Sequence, residues 1–239
     1  MEPTIFSETQ HPATDAPAPQ PRVVARPDMP ALRLEQPGAA DRVLLERRIA
    51  AMFARQYRAR IEHFLPLLVS LDLAGQSGAI AGLRCAGDAR LFMEQYLDSS
   101  VEQAVSRSFR EPVDRSQIVE IGNLVSVLPG AASMLFAVLP ELLDDAGVRW
   151  VVCTATPQVR AMLHKLGFQT RTLGKADPAV LGEQADAWGT YYESRPTVIA
   201  GDVRMAVRQA RRDPRARRLQ RLLSCQLADV ADVIRKARG

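Results

Sequence analysis

The stretch IVEIGNLVSVLPGAA, residues 118–132, joins an apolar run to a Pro-Gly break and small residues. The apolar run predicts a strand, and the strongly apolar residues 131–147 predict a helix that is kinked at Pro140 and ends at Gly147. One carboxylate, Glu120, lies near the start of the strand. The chain thus places a single acid inside a strand that is otherwise suited to a core.

On both sides of this unit, the chain divides into short apolar segments separated by turn and cap residues. Helical spacing predicts helices, and short continuous or alternating apolar runs predict strands. The predicted elements are a helix at 41–71, a hairpin with strands at about 79–85 and 91–97, a helix at 100–111, a strand at 149–156, a helix at 157–167, a strand at 168–174, an initially helical segment at 178–196 and a strand at 197–203. This order predicts a mixed α/β fold with a mostly antiparallel central sheet flanked by helices.

The two ends of the chain differ in composition from its body. Residues 1–38 hold eight of the sixteen prolines and show no apolar periodicity, so we expect a disordered arm. Residues 204–239 carry eleven Lys/Arg against three acids and predict a basic amphipathic helical tail, which leaves the rest of the chain mildly acidic. The predicted main domain is therefore residues 39–203.

Several classes of protein are not indicated by the composition. The first residues have neither the basic start nor the apolar run of a secretory signal, and the longest apolar run is shorter than the roughly 20 residues of a membrane-spanning helix. We expect a cytoplasmic protein. The three cysteines and three histidines are scattered, which predicts neither a disulfide framework nor a metal site.

Two local patterns resemble the acyl-CoA N-acyltransferase superfamily, the GNAT-like fold. One is MLHKLGFQT, residues 162–170, where a helix runs into a strand; the other is the strand–loop–helix junction at residues 127–132. In that superfamily the junction reads (Arg/Gln)-x-x-Gly-x-(Gly/Ala), and its amides hold the cofactor's pyrophosphate. The resemblance implies a coenzyme A cradle formed by Val127, Gly130, Ala131 and Ala132, although Val127 stands where the superfamily has Arg or Gln.

Within the superfamily, acyl-homoserine lactone synthases carry Glu-x-(Ser/Thr)-Arg on the fourth strand. The tetrapeptide EIGN, residues 120–123, matches the acid but has Asn123 in place of the arginine. Over residues 53–201 the segments FLPLL, LFMEQYLD, VEIGNLVS, WVVCTAT and WGTYY resemble the bacterial thermostable hemolysins, a family whose name records a phenotype. These resemblances imply an acyltransferase with acyl-CoA or acyl carrier protein as donor and no metal.

Two acids are the candidate catalytic groups. A carboxylate at Glu120, on so apolar a strand, is either paired or has a raised pKa, and both states suit a general base toward an attacking amine. The alternative is an edge-facing acid that pairs with an arginine such as Arg115. Glu94 and Tyr96 share a face of the predicted strand at 91–97, so Glu94 would lie near Glu120 and help to bind an amine, with Tyr96 as a substrate contact. The alternative for Glu94 and Tyr96 is a polar pair at the sheet surface.

The remaining candidates lie on other elements of the chain. Thr154 is a candidate contact for the pantetheine arm of the donor, whereas Thr156 is a candidate helix cap and Cys153 a core residue. Trp188 and Tyr192 belong to an aromatic cluster that either walls a substrate pocket or packs in the core. Asn123 is a further candidate substrate contact.

The leading functional hypothesis is transfer of an acyl group from a thioester to the amine of a small, amino-acid-like acceptor. A second is a membrane-active hemolysin in which an apolar stripe of the C-terminal helix engages lipid, unless that stripe packs on the core or on another subunit of an oligomer; its members are Leu219, Leu222, Leu223, Leu227, Val230 and Ile234. Nucleic-acid binding is disfavoured because the basic tail lacks interleaved aromatic residues, but the same charge would suit an acidic acyl carrier protein.

Overall fold

A single seven-stranded sheet organises the protein, whose computed structural model describes residues 29–87 and 90–238. The strands are β1 Ala31–Glu35, β2 Leu67–Leu73, β3 Gln76–Cys85, β4 Ile118–Ser126, β5 Trp150–Ala155, β6 Thr170–Lys175 and β7 Thr197–Asp202. Their spatial order is β1-β2-β3-β4-β5-β7-β6. Every neighbouring pair is antiparallel except β4 and β5, which are parallel. The predicted mixed, mostly antiparallel sheet is confirmed.

Seven α-helices and four short 3₁₀ helices accompany the sheet in the described residues. The α-helices are α1 Arg42–Tyr57, α2 Val101–Phe109, α3 Ala131–Asp145, α4 Pro157–Lys165, α5 Val203–Ala210, α6 Pro214–Leu222 and α7 Ser224–Arg238. The 3₁₀ helices are Phe92–Tyr96, Arg115–Gln117, Pro178–Trp188, which is interrupted at Gly182, and Tyr191–Ser194. Local sequence explains several starts: Thr156, Asp202 and Asp213 accept hydrogen bonds from backbone N–H groups in the first turns of α4, α5 and α6.

The central strands of the sheet are buried on both faces, which explains their continuous apolar runs. In β2, Leu67, Val69 and Leu71 pack toward the largest core cluster, which includes α3 and the C-terminal helices, while Leu68 packs on the opposite side with Ile49 and Phe53 of α1. Near β5 and β7, a third cluster gathers around Trp150. The face that carries α1 is the one on which the candidate site lies.

The first third of the chain departs from prediction. The helix predicted for 41–71 ends at Tyr57, because Arg58 adopts a left-handed conformation with φ of 56° and residues 67–73 form β2. The hairpin predicted for 79–85 and 91–97 is also wrong: β3 pairs with β2 and β4, and Phe92–Tyr96 is a 3₁₀ helix. Short apolar runs fit a strand or a buried helix equally well, so periodicity could not separate them.

The arm boundary predicted at residue 38 is wrong. Ala31–Glu35 form the edge strand β1, which pairs with β2, and the backbone N–H of Leu32 donates to Gln226 in α7 at 2.9 Å. Residues 1–28 of the predicted arm lie outside the described residues. The sheet therefore begins inside the segment that composition alone assigned to disorder.

The basic C-terminal helices pack on the main core. Apart from Leu222, which is 45% exposed, the apolar stripe predicted to engage lipid or to pack on protein is buried in the largest cluster. Two side chains of these helices also donate hydrogen bonds to the rest of the protein: Gln220 to the carbonyl of Ala137 at 3.0 Å, and Arg238 to the carbonyl of Ser116 at 2.9 Å. The helices α5, α6 and α7 thus complete the core rather than trail from it.

The adjacent pair Leu222 and Leu223 tests this packing. Leu223→Ala is expected to lower the free energy of unfolding by about 2–4 kcal/mol, because the side chain is fully buried and its removal leaves a cavity. Leu222→Ala is expected to cost less than about 1 kcal/mol, because that side chain is largely exposed. Urea unfolding followed by circular dichroism measures both. Equal effects would show that the helices do not share the core.

Candidate active site

The candidate site lies where the two parallel strands separate. β4 and β5 pair from Ile118↔Trp150 to Ile121↔Cys153, and beyond that point β4 continues along β3 while β5 continues along β7. A cavity of about 670 Å³ adjoins the gap, a volume in the range of small-molecule sites. Its walls come from α1, residues 60–65, β3, β4, α3, β5, α4 and the aromatic residues near 188.

Glu120 is the buried acid of this cavity. It is 4% exposed and accepts hydrogen bonds from the backbone N–H groups of Phe92 and Met93 at 3.1 and 3.0 Å. Burial raises its pKa above the ordinary glutamate value, and those two hydrogen bonds and Arg84 oppose the shift only in part. Within the described part of the chain, Glu120 forms no salt bridge; Arg115, its predicted alternative partner, binds Glu94. The side chain can therefore accept a proton from a molecule in the cavity.

Glu94 is placed differently from the prediction. It does not line the cavity, and both of its carboxylate oxygens are engaged by the Arg115 guanidinium at 2.8 and 2.7 Å and by the N–H groups of Leu91 and Val101 at 2.7 and 2.9 Å. Burial alone would raise the pKa of Glu94, but these hydrogen bonds lower it to about 2. Glu94 thus acts as a structural anion that ties the 3₁₀ helix to α2.

Asn123 sits at a bulge in β4. Gly122 pairs with Gly82 and Val125 with Ile80, so β4 carries an extra residue, and Asn123 has a φ of 48°. Its side-chain oxygen accepts a hydrogen bond from the N–H of Leu65 at 2.8 Å. The residue predicted to bind substrate is therefore tied to the chain segment that covers the strand.

That segment, residues 58–66, is here called the strap. Leu65 crosses the sheet over Gly82 and Gly122, where a Cβ on either glycine would lie 2.9 Å from the Leu65 side chain. Arg42 holds the end of the strap by donating to the carbonyls of Leu65 and Pro66 at 3.0 and 2.6 Å. The strap forms one wall of the cavity, and no motif of the sequence analysis predicted it.

Aromatic side chains form a second wall. Trp188 lies 5.6 Å from Phe92 and 5.3 Å from Tyr191, measured between ring centroids. The wall consists of Phe53, Tyr57, Phe92, Trp188, Tyr191 and Tyr192. Of the two aromatic residues predicted to line a pocket, both Trp188 and Tyr192 do so. Tyr96 stands behind this wall, with its hydroxyl 2.5 Å from that of Tyr192.

The β5 side of the gap carries Cys153, Thr154 and Thr156. The hydroxyl of Thr154 is buried without a hydrogen-bond partner among the described residues, which leaves it available to a ligand. Thr156 caps α4 through Val159. Burial, with a smaller effect of Glu120, raises the pKa of Cys153 to about 12, so the thiol stays protonated and is a poor nucleophile.

The predicted cofactor cradle lies just beyond β4, outside the cavity walls. Most of its amides are already engaged: the N–H of Val127 donates to Gly78 at 2.7 Å, that of Ala131 to Leu128 at 3.1 Å and that of Ala132 to the Ser126 hydroxyl at 3.2 Å. Gly130, with a φ of 78°, is the N-cap residue of α3. A pyrophosphate would have to displace the Ser126 hydroxyl to use the full cradle.

Two classes of feature are not seen in residues 29–87 and 90–238. No three side chains of the metal-ligating types converge there. Likewise, none of the helices in this part of the chain has the length and apolar character needed to cross a membrane.

The chain is similar to one protein family and to several solved structures. Residues 35–207 match the model of the family described as thermostable hemolysin. The structure of BjaI, a CoA-dependent acyl-homoserine lactone synthase, with MTA matches at 14% identity with a TM-score of 0.52, over 76% of this chain and 87% of that chain. FeeM, an N-acyl amino acid synthase from uncultured soil microbes, matches at 14% identity with a TM-score of 0.51, over 76% of this chain and 96% of that chain. No curated protein sequence matches. The predicted GNAT-like fold is confirmed.

Proposed function

Because the chain belongs to the thermostable hemolysin family and has a GNAT-like fold, we propose that it is an N-acyltransferase acting on the amine of a small, amino-acid-like acceptor. The donor is an acyl thioester of coenzyme A or of an acyl carrier protein. The observation that carries the proposal is the buried carboxylate of Glu120, which faces a cavity at the gap between β4 and β5.

Glu120 acts as the general base. An amine is protonated in neutral water and cannot attack a carbonyl until it loses a proton. The raised pKa of Glu120 brings the carboxylate closer to the working pH, where general bases are most effective. The acceptor ammonium transfers one proton to Glu120, and the freed nitrogen lone pair then attacks the thioester carbon.

The gap between β4 and β5 provides the polar groups that would bind the thioester. The bulge leaves residues 123 and 124 without partners in the described ladder with β3, and we assign their backbone N–H groups to polarise the thioester carbonyl. The unpaired hydroxyl of Thr154 faces the donor from β5. The carbon–sulfur bond breaks, the thiolate takes one of the two protons left on the nitrogen, and a secondary amide and a free thiol are released. Glu120 then returns its proton to water.

The basic surface of the C-terminal helices supports the choice of a carrier-protein donor in addition to coenzyme A. Arg215, Arg217, Arg218 and Arg221 of α6 are exposed, and complementary charge would favour the encounter with an acidic carrier protein. Lysis through the apolar stripe is not proposed, because five of its six members are buried.

A thioester assay tests the proposed reaction. Purified protein mixed with acyl-CoA thioesters of graded chain length and a panel of amino acids and amines is expected to yield an amide and an equal amount of free coenzyme A. Both products should be quantified by mass spectrometry rather than by a thiol dye, because Cys225 is an exposed free thiol. Absence of amide across the panel, with carrier-protein thioesters included and the fold verified by circular dichroism, would refute the proposal.

A further inference from the structure

Arg84 is a cation beside the proposed base. It lies on β3 directly opposite Glu120 of β4, is half-buried and lines the cavity. Its guanidinium makes no hydrogen bond or ion pair with any described residue, since the Glu120 carboxylate is turned toward the N–H groups of Phe92 and Met93. The lone arginine in the apolar run AIAGLRC was not among the predicted site residues.

The guanidinium of Arg84 acts on Glu120 through its charge, which lowers the pKa of that carboxyl, but it makes no hydrogen bond with it. Withdrawing a charged group from water is costly unless a partner compensates it, and the planar fork of arginine matches a carboxylate with two parallel hydrogen bonds. Arg115 shows this pairing elsewhere in the protein, where it binds both oxygens of Glu94. The donors of Arg84 are available for the same contact with a bound molecule.

We propose that Arg84 binds the carboxylate of an α-amino acid acceptor while the ammonium group of the same molecule faces Glu120. This inference rests on the proposed function and specifies its acceptor. A cation and an anion on neighbouring strands are complementary to a zwitterion whose own charges are separated by one carbon atom. A phosphate carries no ammonium group to face Glu120, so the two charges favour a zwitterion over a simple anion.

The aromatic wall of the cavity is placed to contact the side chain of the amino acid acceptor. Phe92 lines the cavity, and its own N–H group donates to Glu120, so aromatic surface begins beside the base. Trp188 and Tyr192 continue that surface. An amino acid held by Arg84 and Glu120 would place a large apolar or aromatic side chain against these rings.

Matched acceptor pairs test the role of Arg84. The first pair of probes is L-phenylalanine and 2-phenylethylamine, and the second is L-leucine and 3-methylbutylamine. Within each pair, the amine lacks only the carboxylate of the amino acid. For the wild-type protein, the amino acid of a pair is expected to bind at least about tenfold more tightly than the amine. Arg84→Gln should remove that preference by weakening the amino acid alone. Arg208→Gln, an exposed arginine on α5, is the control for loss of one positive charge.

Calorimetry and acyl-transfer kinetics are to be measured on the same proteins, so that the two proposals fail separately. Carboxylate-dependent binding that is lost in Arg84→Gln supports the role of Arg84 even if no amide forms. Amide formation with the same carboxylate preference in wild type and Arg84→Gln overturns that role and leaves the transferase intact. No binding of any probe to folded wild-type protein, or equal binding within both pairs, also overturns it.

Discussion

Replacing Glu120 with glutamine is expected to lower kcat for acyl transfer by about 10²–10⁴-fold, the usual contribution of a positioned general base. The amide has nearly the same shape but cannot take a proton from the acceptor. Its oxygen can still accept a hydrogen bond from one of the N–H groups of Phe92 and Met93, but its NH2 group then faces the other, and burial no longer opposes a charge. The free energy of unfolding should therefore fall by no more than about 2 kcal/mol.

The pH profile gives this prediction a second readout. Because the pKa of Glu120 is raised, kcat/KM of the wild-type protein should fall on the acid side at a pH above that of an ordinary glutamate, as protonation removes the base. Glu120→Gln should lack this acid limb. Glu183→Gln, which replaces an exposed acid, is the control. It should retain both the kcat of the wild-type protein and the fall of kcat/KM on the acid side. A Glu120→Gln variant with unchanged kcat would eliminate the proposed base.

Replacing Glu94 with glutamine is expected to lower the free energy of unfolding by about 3 kcal/mol at pH 7. The change would leave Arg115 without its bidentate partner and would weaken the hydrogen bonds that Leu91 and Val101 donate. Chemical unfolding monitored by fluorescence measures the loss. Glu102→Gln is the matched control, because Glu102 also binds Arg115 but is more exposed, and its loss should cost less than about 1 kcal/mol.

The stabilisation by Glu94 should depend on pH in a defined direction. Its pKa is about 2 in the folded protein and about 4.5 in the unfolded chain, so the stabilisation is fully present above pH 4.5 and is lost as the pH falls toward 2. The stability difference between wild type and Glu94→Gln should therefore shrink between pH 5 and pH 3. A constant difference over this range would show that the carboxylate charge is not responsible.

Local sequence was most informative from residue 118 onward. The elements β4, α3, β5, α4, β6 and β7 follow one another as predicted, because apolar runs of distinct length are separated there by residues with strong local preferences, such as Gly130, Pro157 and Gly167. Upstream, β2 was predicted as helix and Phe92–Tyr96 as strand. Each is a short apolar segment whose conformation depends on what it packs against.

The sequence by itself determined the mixed α/β class, the strand–break–helix unit and the presence of a lone acid at Glu120. Only the tertiary structure decided how the two candidate acids differ. Arg115, 21 residues from Glu94 in the chain, neutralises that carboxylate, whereas Glu120 meets backbone N–H groups 27 and 28 residues away and faces a cavity. A carboxylate's pKa depends on its burial and on the charges around it, and long-range packing sets both.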